Sequence, residues 1–589
     1  MKAADPTADL LAVEVQDLPV EWVGPLVDPV ALQQGRINGR LVASARDGGV
    51  EVHTVEGLRI GNLSVSHEGQ ALAEALDLTL CLLAEYGPSG WQVALDNLKV
   101  DSAGANIATL KLKAGQLIGS DQPIKASVSL QVGLVPLLRQ PILRDEVAVS
   151  KGKFAADILL TLSEASEVQG EFSLSELADV AGTVLPNIAG SIQAGLGANG
   201  EIAFNLPLQM TMGPRVSDPG IKGTLTPQAA GYHLAGQLNG KKIYLSDMQL
   251  LAGLAAVPTT LKEAAAPEVD APFWAGLSGV IDLAITQLHY DEYFELKDVA
   301  GAVRINEGAL TLDNVHAGIG NQGAMKLDGA LTYVPEMKTP YALRTELAAR
   351  EFDSAPFFKA YNARNPAQID GRFNLNSTLT SQGRDLEKLA ANIGGDVKLT
   401  STAGVFRLLS ANVSNQVEHV GKVAAVGAFL GNVVGALGIN KDVTGLASNA
   451  QAVAELSQLL TAIKYDQLNV AVNRDADLNT NLREFALIAP EMRLSGDGQL
   501  RYQDDLDFMN QPLNLALEMK ARGRTADVLR YLNLLATEKD DLGYAVCTLP
   551  LRVTGTLLKP DTSELKNALV KVAMESGGAS DLLNRLLGK

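Results

Sequence analysis

Apolar and polar residues alternate with a period of two through Trp274 to Arg407. Ile281, Leu283 and Ile285 alternate with Asp282, Ala284 and Thr286, and Val299, Val303 and Ile305 with Ala300, Ala302, Arg304 and Asn306. Leu310 and Leu312 follow, then Met325 and Leu327 against Lys326 and Asp328, and Phe373 and Leu375 against Arg372 and Asn374. A period of two puts the apolar side chains of each strand on one face, as in a sheet with one wet side. Gly301, Gly308, Gly318, Gly320, Gly323, Gly329 and Gly371 fall at or between these runs, where turns and bulges require unusual backbone angles. The stretch predicts an antiparallel meander with one apolar face.

The flanking regions extend the pattern. Residues 10 to 70 read as strands, with turns at Asp47-Gly-Gly and His67-Glu-Gly. Gln70 to Glu85 is too densely apolar to show one period and reads as helix or buried strand. Alternation resumes from Trp91 to Val135, and Pro136 to Leu143 reads as a loop. Ser173 to Leu196 changes character: Leu174, Leu177, Val180, Ala181 and Val184 fall at helical spacing, Ser173 and Glu176 form a capping box, and Pro186 interrupts. Residues 200 to 253 return to strands. Lys262 to Pro272, rich in Ala, Pro and charge, reads as a linker.

After the meander, Phe406 to Lys464 loses strand signals. Val423 to Ile439 is its most apolar window, with Gly427, Gly431 and Gly435 spaced by four. That spacing suits close helix approach in membranes, but the window is shorter than a bilayer span and carries Asn432. It reads as a buried helical hairpin covering the sheet. Residues 466 to 559 are again strand-like, with a turn at Gly496-Asp-Gly498 and a short helix over Thr525 to Leu535 that Thr525 would cap. Asp561 to Leu587 reads as a C-terminal helix with Asp561 as N-cap, split at Gly577 and Gly578.

The organisation is thus a β-rich region over residues 1–260 with a helical insert near 173–196, a linker at 261–272 and a β core at 273–407. A helical insert at 408–464, a β region at 465–560 and a helix at 561–589 complete it. The fold class is mainly β with helical inserts: an elongated, curved antiparallel groove of many short strands, partly covered by helices.

Composition narrows the functions. Apolar residues make up 47% of 589, enough for a large core, while aromatics are only 5% and glycines number 55, which suits short strands and turns. A formal charge of −18 argues against nucleic acid and against electrostatic docking on anionic lipid. Cys81 and Cys547 both lie in apolar contexts and read as buried free thiols, with no disulfide framework or metal motif. His53, His67, His233, His289, His316 and His419 are scattered singly, outside ligand spacing.

Gly318-Ile-Gly-Asn-Gln-Gly323 matches a dinucleotide fingerprint as a string, but the run after it alternates as a strand, so a hairpin turn is expected. Asp291-Glu292 and Asp504-Asp505 are neighbours that point to opposite faces of a strand. No Walker motif or nucleophile elbow is present. The expectation is a protein without enzymatic activity, metal or cofactor.

Several segments carry a resemblance. Trp274-Ala-Gly-Leu-Ser-Gly-Val-Ile-Asp-Leu, Leu296-Lys-Asp-Val-Ala-Gly, Leu327-Asp-Gly-Ala-Leu and Ile369-Asp-Gly-Arg-Phe-Asn-Leu resemble the C-terminal module of the AsmA-like family. Gly383-Arg-Asp-Leu-Glu, Gly394-Gly-Asp-Val-Lys-Leu, Gly404-Val-Phe-Arg-Leu-Leu and Leu551-Arg-Val-Thr-Gly-Thr-Leu-Leu-Lys-Pro560 resemble the way that family closes. The resemblance covers roughly the second half. It implies a periplasmic β-groove protein of Gram-negative bacteria, anchored in the inner membrane and engaged in lipid traffic to the outer membrane. Met1 to Asp9 is polar and shows no secretion signal, which fits either a cytoplasmic chain or one whose membrane anchor precedes Met1; the resemblance implies the second.

The function expected is a lipid-handling groove that takes phospholipid or another acyl-chain lipid. Its lining candidates are Ile281, Leu283, Ile285, Val303, Ile305, Leu310, Leu312, Leu327, Phe373 and Leu375. The alternative is a scaffold for outer-membrane assembly proteins with a closed core. A secreted adhesin or solenoid lacks the short strict repeat it would need.

Overall fold

A computed structural model describes residues 9–24, 30–46, 48–118, 122–143, 149–255, 271–290, 294–335, 337–356, 369–408, 443–549, 551–557 and 559–575. The chain is mainly β, with long strands and few short helices. It divides into two compact units, residues 1–291 with 302–307 and residues 292–301 with 308–589.

In the first unit, strand Asp9–Pro19 pairs with Arg36–Arg46, which pairs with the 19-residue strand Gly49–His67. Gln70–Leu80 and Leu82–Gly87 both pair with that strand and then with Gly90–Ser102. From there a meander runs through Ala105–Leu117, Ile124–Gly133, Val149–Leu162, Ser166–Asp179, Asn187–Leu196, Ile202–Met212, Gly220–Gln228 and Gly231–Tyr244. Leu277–His289 joins parallel to the last of these. Gly279 permits the close approach: its φ is +130°, and a Cβ there would lie 1.9 Å from the Leu234 carbonyl oxygen.

Among the described residues, two α-helices accompany this sheet, α1 (Leu134–Leu138) and α2 (Leu245–Ala255). In α2, the fully buried Asp247 accepts hydrogen bonds from Arg215 at 2.9 Å and from the Ser217 hydroxyl at 2.8 Å, which fixes the helix to the strand ends.

In the second unit a meander runs through Ala309–Ile319, Gly323–Tyr333, Tyr341–Asp353, Ile369–Gly383, Gly394–Phe406, Gln467–Arg474, Thr480–Ile488, Met492–Leu500 and Leu513–Ala521. Among the described residues its helices are α3 (Leu386–Ala391), α4 (Val443–Thr461), α5 (Gly523–Tyr531) and α6 (Ser563–Glu575). Leu456 and Leu460 of α4, Val528 and Leu529 of α5, and Leu565 and Leu569 of α6 bury against Leu468, Leu487, Leu494 and Met519 of the sheet.

A bulge with one chemistry recurs. Asp17, Asn62, Glu176, Asn314 and Glu351 have positive φ, between 49° and 56°, where a strand's register slips. In each, the bulged N–H donates to an Asn or Asp side chain on the neighbouring strand: Asn38, Asp77, Asn187, Asp328 and Asn374, at 2.8–3.1 Å. The side chain satisfies a donor that the slipped ladder leaves over. It also shifts the parity of the strand, so apolar residues change from spacing two to spacing three and remain on one face.

This device corrects the helical insert expected at Ser173–Leu196. The segment forms strands Ser166–Asp179 and Asn187–Leu196. Leu174 and Leu177 lie three apart because Glu176 bulges between them, which imitates a helical period. Glu176 caps no helix; its own N–H is held by Asn187.

Of the other expectations, the hairpin turn at Gly318–Gly323, the burial of Cys547 and the strand reading of Gln70–Glu85 hold, and several others change. Pro136–Leu143 contributes to α1 and a 3₁₀ turn at Pro141–Leu143, and Gly496-Asp-Gly498 lies within a continuous strand. The helix near Thr525 begins at Gly523, and its orphan donors are satisfied from outside: the Thr525 N–H and hydroxyl both donate to Glu491, at 3.0 and 3.1 Å. The Gly318–Gly323 segment is a hairpin turn, with Ile319 opposite Gly323. Cys547 is buried, but Cys81 is exposed, at the break between two strands. The apolar window Val423–Ile439, His419, Asp291-Glu292, most of the linker and the end of the C-terminal helix lie outside the described residues.

Candidate apolar face

The pairing registers show how the first unit is laid out. One row crossing nine strands runs Leu112, Val128, Ile158, Gly170, Ile192, Leu206, Ile221, Leu238 and Leu283. A parallel row runs Ala114, Ala126, Leu160, Val168, Ala194, Phe204, Gly223, Gly236 and Ile281. No polar side chain interrupts either. On the other face, the row between them reads Lys113, Ser127, Leu159, Gln169, Gln193, Asn205, Lys222, Gln237 and Asp282. Leu159 is its one large apolar member.

The apolar rows are only half-buried. Neighbouring side chains shade one another, as Phe172 does by lying over Gly190, where a Cβ would come within 2.7 Å of its ring. Full burial would need a covering layer. Among the described residues of this unit, α1 and α2 follow directly from strand ends and leave the middle of both rows half-buried. An apolar surface of this extent is seldom left without a ligand or partner.

In the second unit the same kind of face is divided. The row Phe373, Ser401, Leu468, Leu487, Leu494 and Met519 is at most 2% exposed beneath α4, α5 and α6. The row beyond its neighbour, Leu327, Leu347, Ser377, Val397, Val472 and Leu482, is half-buried apart from the small Ser377.

The residues expected to line a groove therefore separate. Ile281 and Leu283 stand in the open rows of the first unit, and Ile285, opposite Gly240, is buried there. Val303 is half-buried and Ile305 buried. Leu310, Leu312, Leu327 and Leu375 are half-buried in the second unit. Phe373 belongs to the sealed core, so its lining role is corrected: helices that the meander's own sequence does not contain fold over it. Most of the open face, from Leu112 to Leu238, lies in strands that precede the region the sequence pattern marked. Its signal was present as alternation from Trp91 to Val135 and over residues 200 to 253, and was masked at Ser173–Leu196 by the bulge at Glu176.

No family model and no curated protein matches the chain. The chemistry must therefore be read from the residues alone. Among the described residues no three His, Cys, Asp or Glu side chains stand close enough to hold a metal, and no helix is long and apolar enough to cross a membrane.

A cleft of about 750 Å³ lies near the strand ends of the first unit, lined by Arg46, Glu51, Glu85, Lys113 and Lys125 together with Tyr86, Trp91 and Leu117. Arg46 pairs with Glu51 and approaches Glu85 at 3.9 Å, so these three charges largely satisfy one another. The apolar rows are the stronger candidate, because there the sheet's largest desolvation gain is left unrealised.

Proposed function

We propose that the chain is an AsmA-like protein of the Gram-negative envelope. In this reading it works in the periplasm, tethered to the inner membrane, and holds or conducts phospholipid along the apolar face of its sheets. One observation carries this reading: polar-free rows that cross nine consecutive strands and remain half-buried. An acyl chain fits such a surface, since it needs no directional partner and each buried CH₂ contributes about 0.8 kcal/mol. Lipid headgroups would stay at the wet margin. A non-enzymatic scaffold in outer-membrane assembly is the second reading, favoured by the sealed, helix-covered part of the second unit.

Native mass spectrometry after gentle extraction tests the first reading. Phospholipid is expected to co-purify and to be lost from a variant carrying Ile192→Glu and Leu206→Glu in the middle of the open row. A wild-type protein that arrives lipid-free and takes up no fluorescent phospholipid overturns it in favour of the scaffold.

A further inference from the structure

The two ends of the first unit's strands are built differently. At one rim the strands turn through short connections, between Arg46 and Gly49, Gly87 and Gly90, Leu162 and Ser166, Leu196 and Ile202, and Gln228 and Gly231. The opposite rim has tight turns too, between His67 and Gln70 and between Ser102 and Ala105, and in addition carries the 3₁₀ turn Val20–Trp22, α1, Pro141–Leu143 and α2. There Val20, Ile37, Leu63, Leu76 and Ile107 form a closed core.

Both rims leave large apolar side chains in solvent, Trp22, Ile142, Val180 and Val184 at the opposite one, but those of the hairpin rim extend the apolar rows: Leu162, Leu196 and Tyr232 lie on the same strands and the same face as Leu160, Ala194 and Leu238. Tyr86, Leu117, Ile118, Leu162, Leu196 and Tyr232 are each 45–68% exposed. Tyr86 stands opposite Trp91 on the adjacent strand, and the Trp91 indole N–H donates to Gln116 at 3.3 Å. Phenol and indole rings with a polar edge, mixed with leucine and isoleucine, suit the boundary between lipid headgroups and acyl chains. The rim is continuous with the apolar rows, because Trp91 and Val93 share a face with Ala114 and Leu112.

We propose that the hairpin rim of the first unit docks on a zwitterionic lipid bilayer and is the side from which lipid reaches the apolar face. The second clause rests on the lipid-holding reading. Charge selects the surface. Glu51, Glu85, Glu164 and Glu201 accompany Arg46 and Lys125 near the rim, and the chain carries a net −18, so an anionic membrane would repel it.

Tryptophan fluorescence offers the test, because Trp91 lies at this rim, Trp22 is exposed at the opposite one and Trp274 is buried. Phosphatidylcholine vesicles with brominated acyl chains should quench Trp91 in the W22F variant and leave Trp22 unquenched in W91F. Wild-type protein should float with phosphatidylcholine vesicles and bind more weakly to vesicles enriched in phosphatidylglycerol. Substituting Leu162→Glu and Leu196→Glu should reduce flotation roughly tenfold or more, since both side chains would be immersed. Val184→Glu, on the opposite rim, should leave it unchanged.

Equal quenching of both tryptophans, no quenching of either, stronger binding to phosphatidylglycerol, or a rim occupied by a second copy in light scattering would each overturn the docking. Uptake of a monomeric fluorescent phospholipid separates the two ideas. If uptake persists without quenching of Trp91, only the rim assignment fails; if uptake also fails, the lipid-holding reading fails with it.

Discussion

Asn314 shows how one residue can move the pattern of a whole strand. Before it, Leu310 and Leu312 face the apolar side; after it, Val315, Ala317 and Ile319 do, because the bulge adds a position. Asp328 on the next strand accepts the freed N–H at 2.9 Å. Asn187 serves Glu176 in the same way, and Asn187→Ala should lower stability by about 1 kcal/mol in urea unfolding.

Asp328 also sets a pH response. A hydrogen bond from Lys326, reinforced by the Asn314 N–H, holds its carboxyl below the usual carboxylate range. Its folded pKa is depressed, so the stability it contributes is present above the ordinary value and lost as pH falls through the folded one. D328N, which keeps an acceptor but cannot titrate, should flatten that part of the acid-side stability profile. The two thiols should differ as well. Burial pushes Cys547 up to about 11, whereas Cys81 is exposed. A maleimide near neutral pH should label Cys81 alone until the protein is unfolded.

At the scale of elements, the question is which rows are roofed. Leu456 of α4 is fully buried over the sheet, whereas Leu347 sits in a half-buried row. Leu456→Ala should cost about 2–5 kcal/mol and Leu347→Ala about 1 kcal/mol, read from denaturant midpoints at constant slope. The start of α5 depends on Glu491, whose carboxylate is held below its ordinary range chiefly by the Thr525 N–H. Glu491→Ala should remove about 1 kcal/mol, comparable to losing an N-cap.

Alternation made most strands legible, including those from Ile281 to Ile305 and from Leu310 to Leu327. The segment Ser173–Leu196 was not legible, because a bulge at Glu176 produces the spacing of a helix. The cap of α5 was hidden for a different reason. Glu491 lies 34 residues before Thr525, and only sheet pairing brings them together.

Across the molecule, the candidate function depends on continuity rather than on any motif. Each strand supplies only a few apolar side chains, and nine aligned strands turn them into uninterrupted rows. The paired charge substitutions at Ile192 and Leu206 test this directly. They place carboxylates in the middle of a row that has no polar partner for them, so lipid occupancy should vanish while the polar face is untouched.

The sequence by itself determined that the protein is mainly β, that each strand has an apolar side and that the surface is acidic. These follow from local periodicity and composition, which need no partner strand to be read. The tertiary structure alone decided which rows join, where bulges keep them in phase, that Phe373 lies beneath helices, and that Leu112 to Leu283 remains uncovered by described elements. Those outcomes depend on register and on contacts between distant segments, and a period of two contains neither.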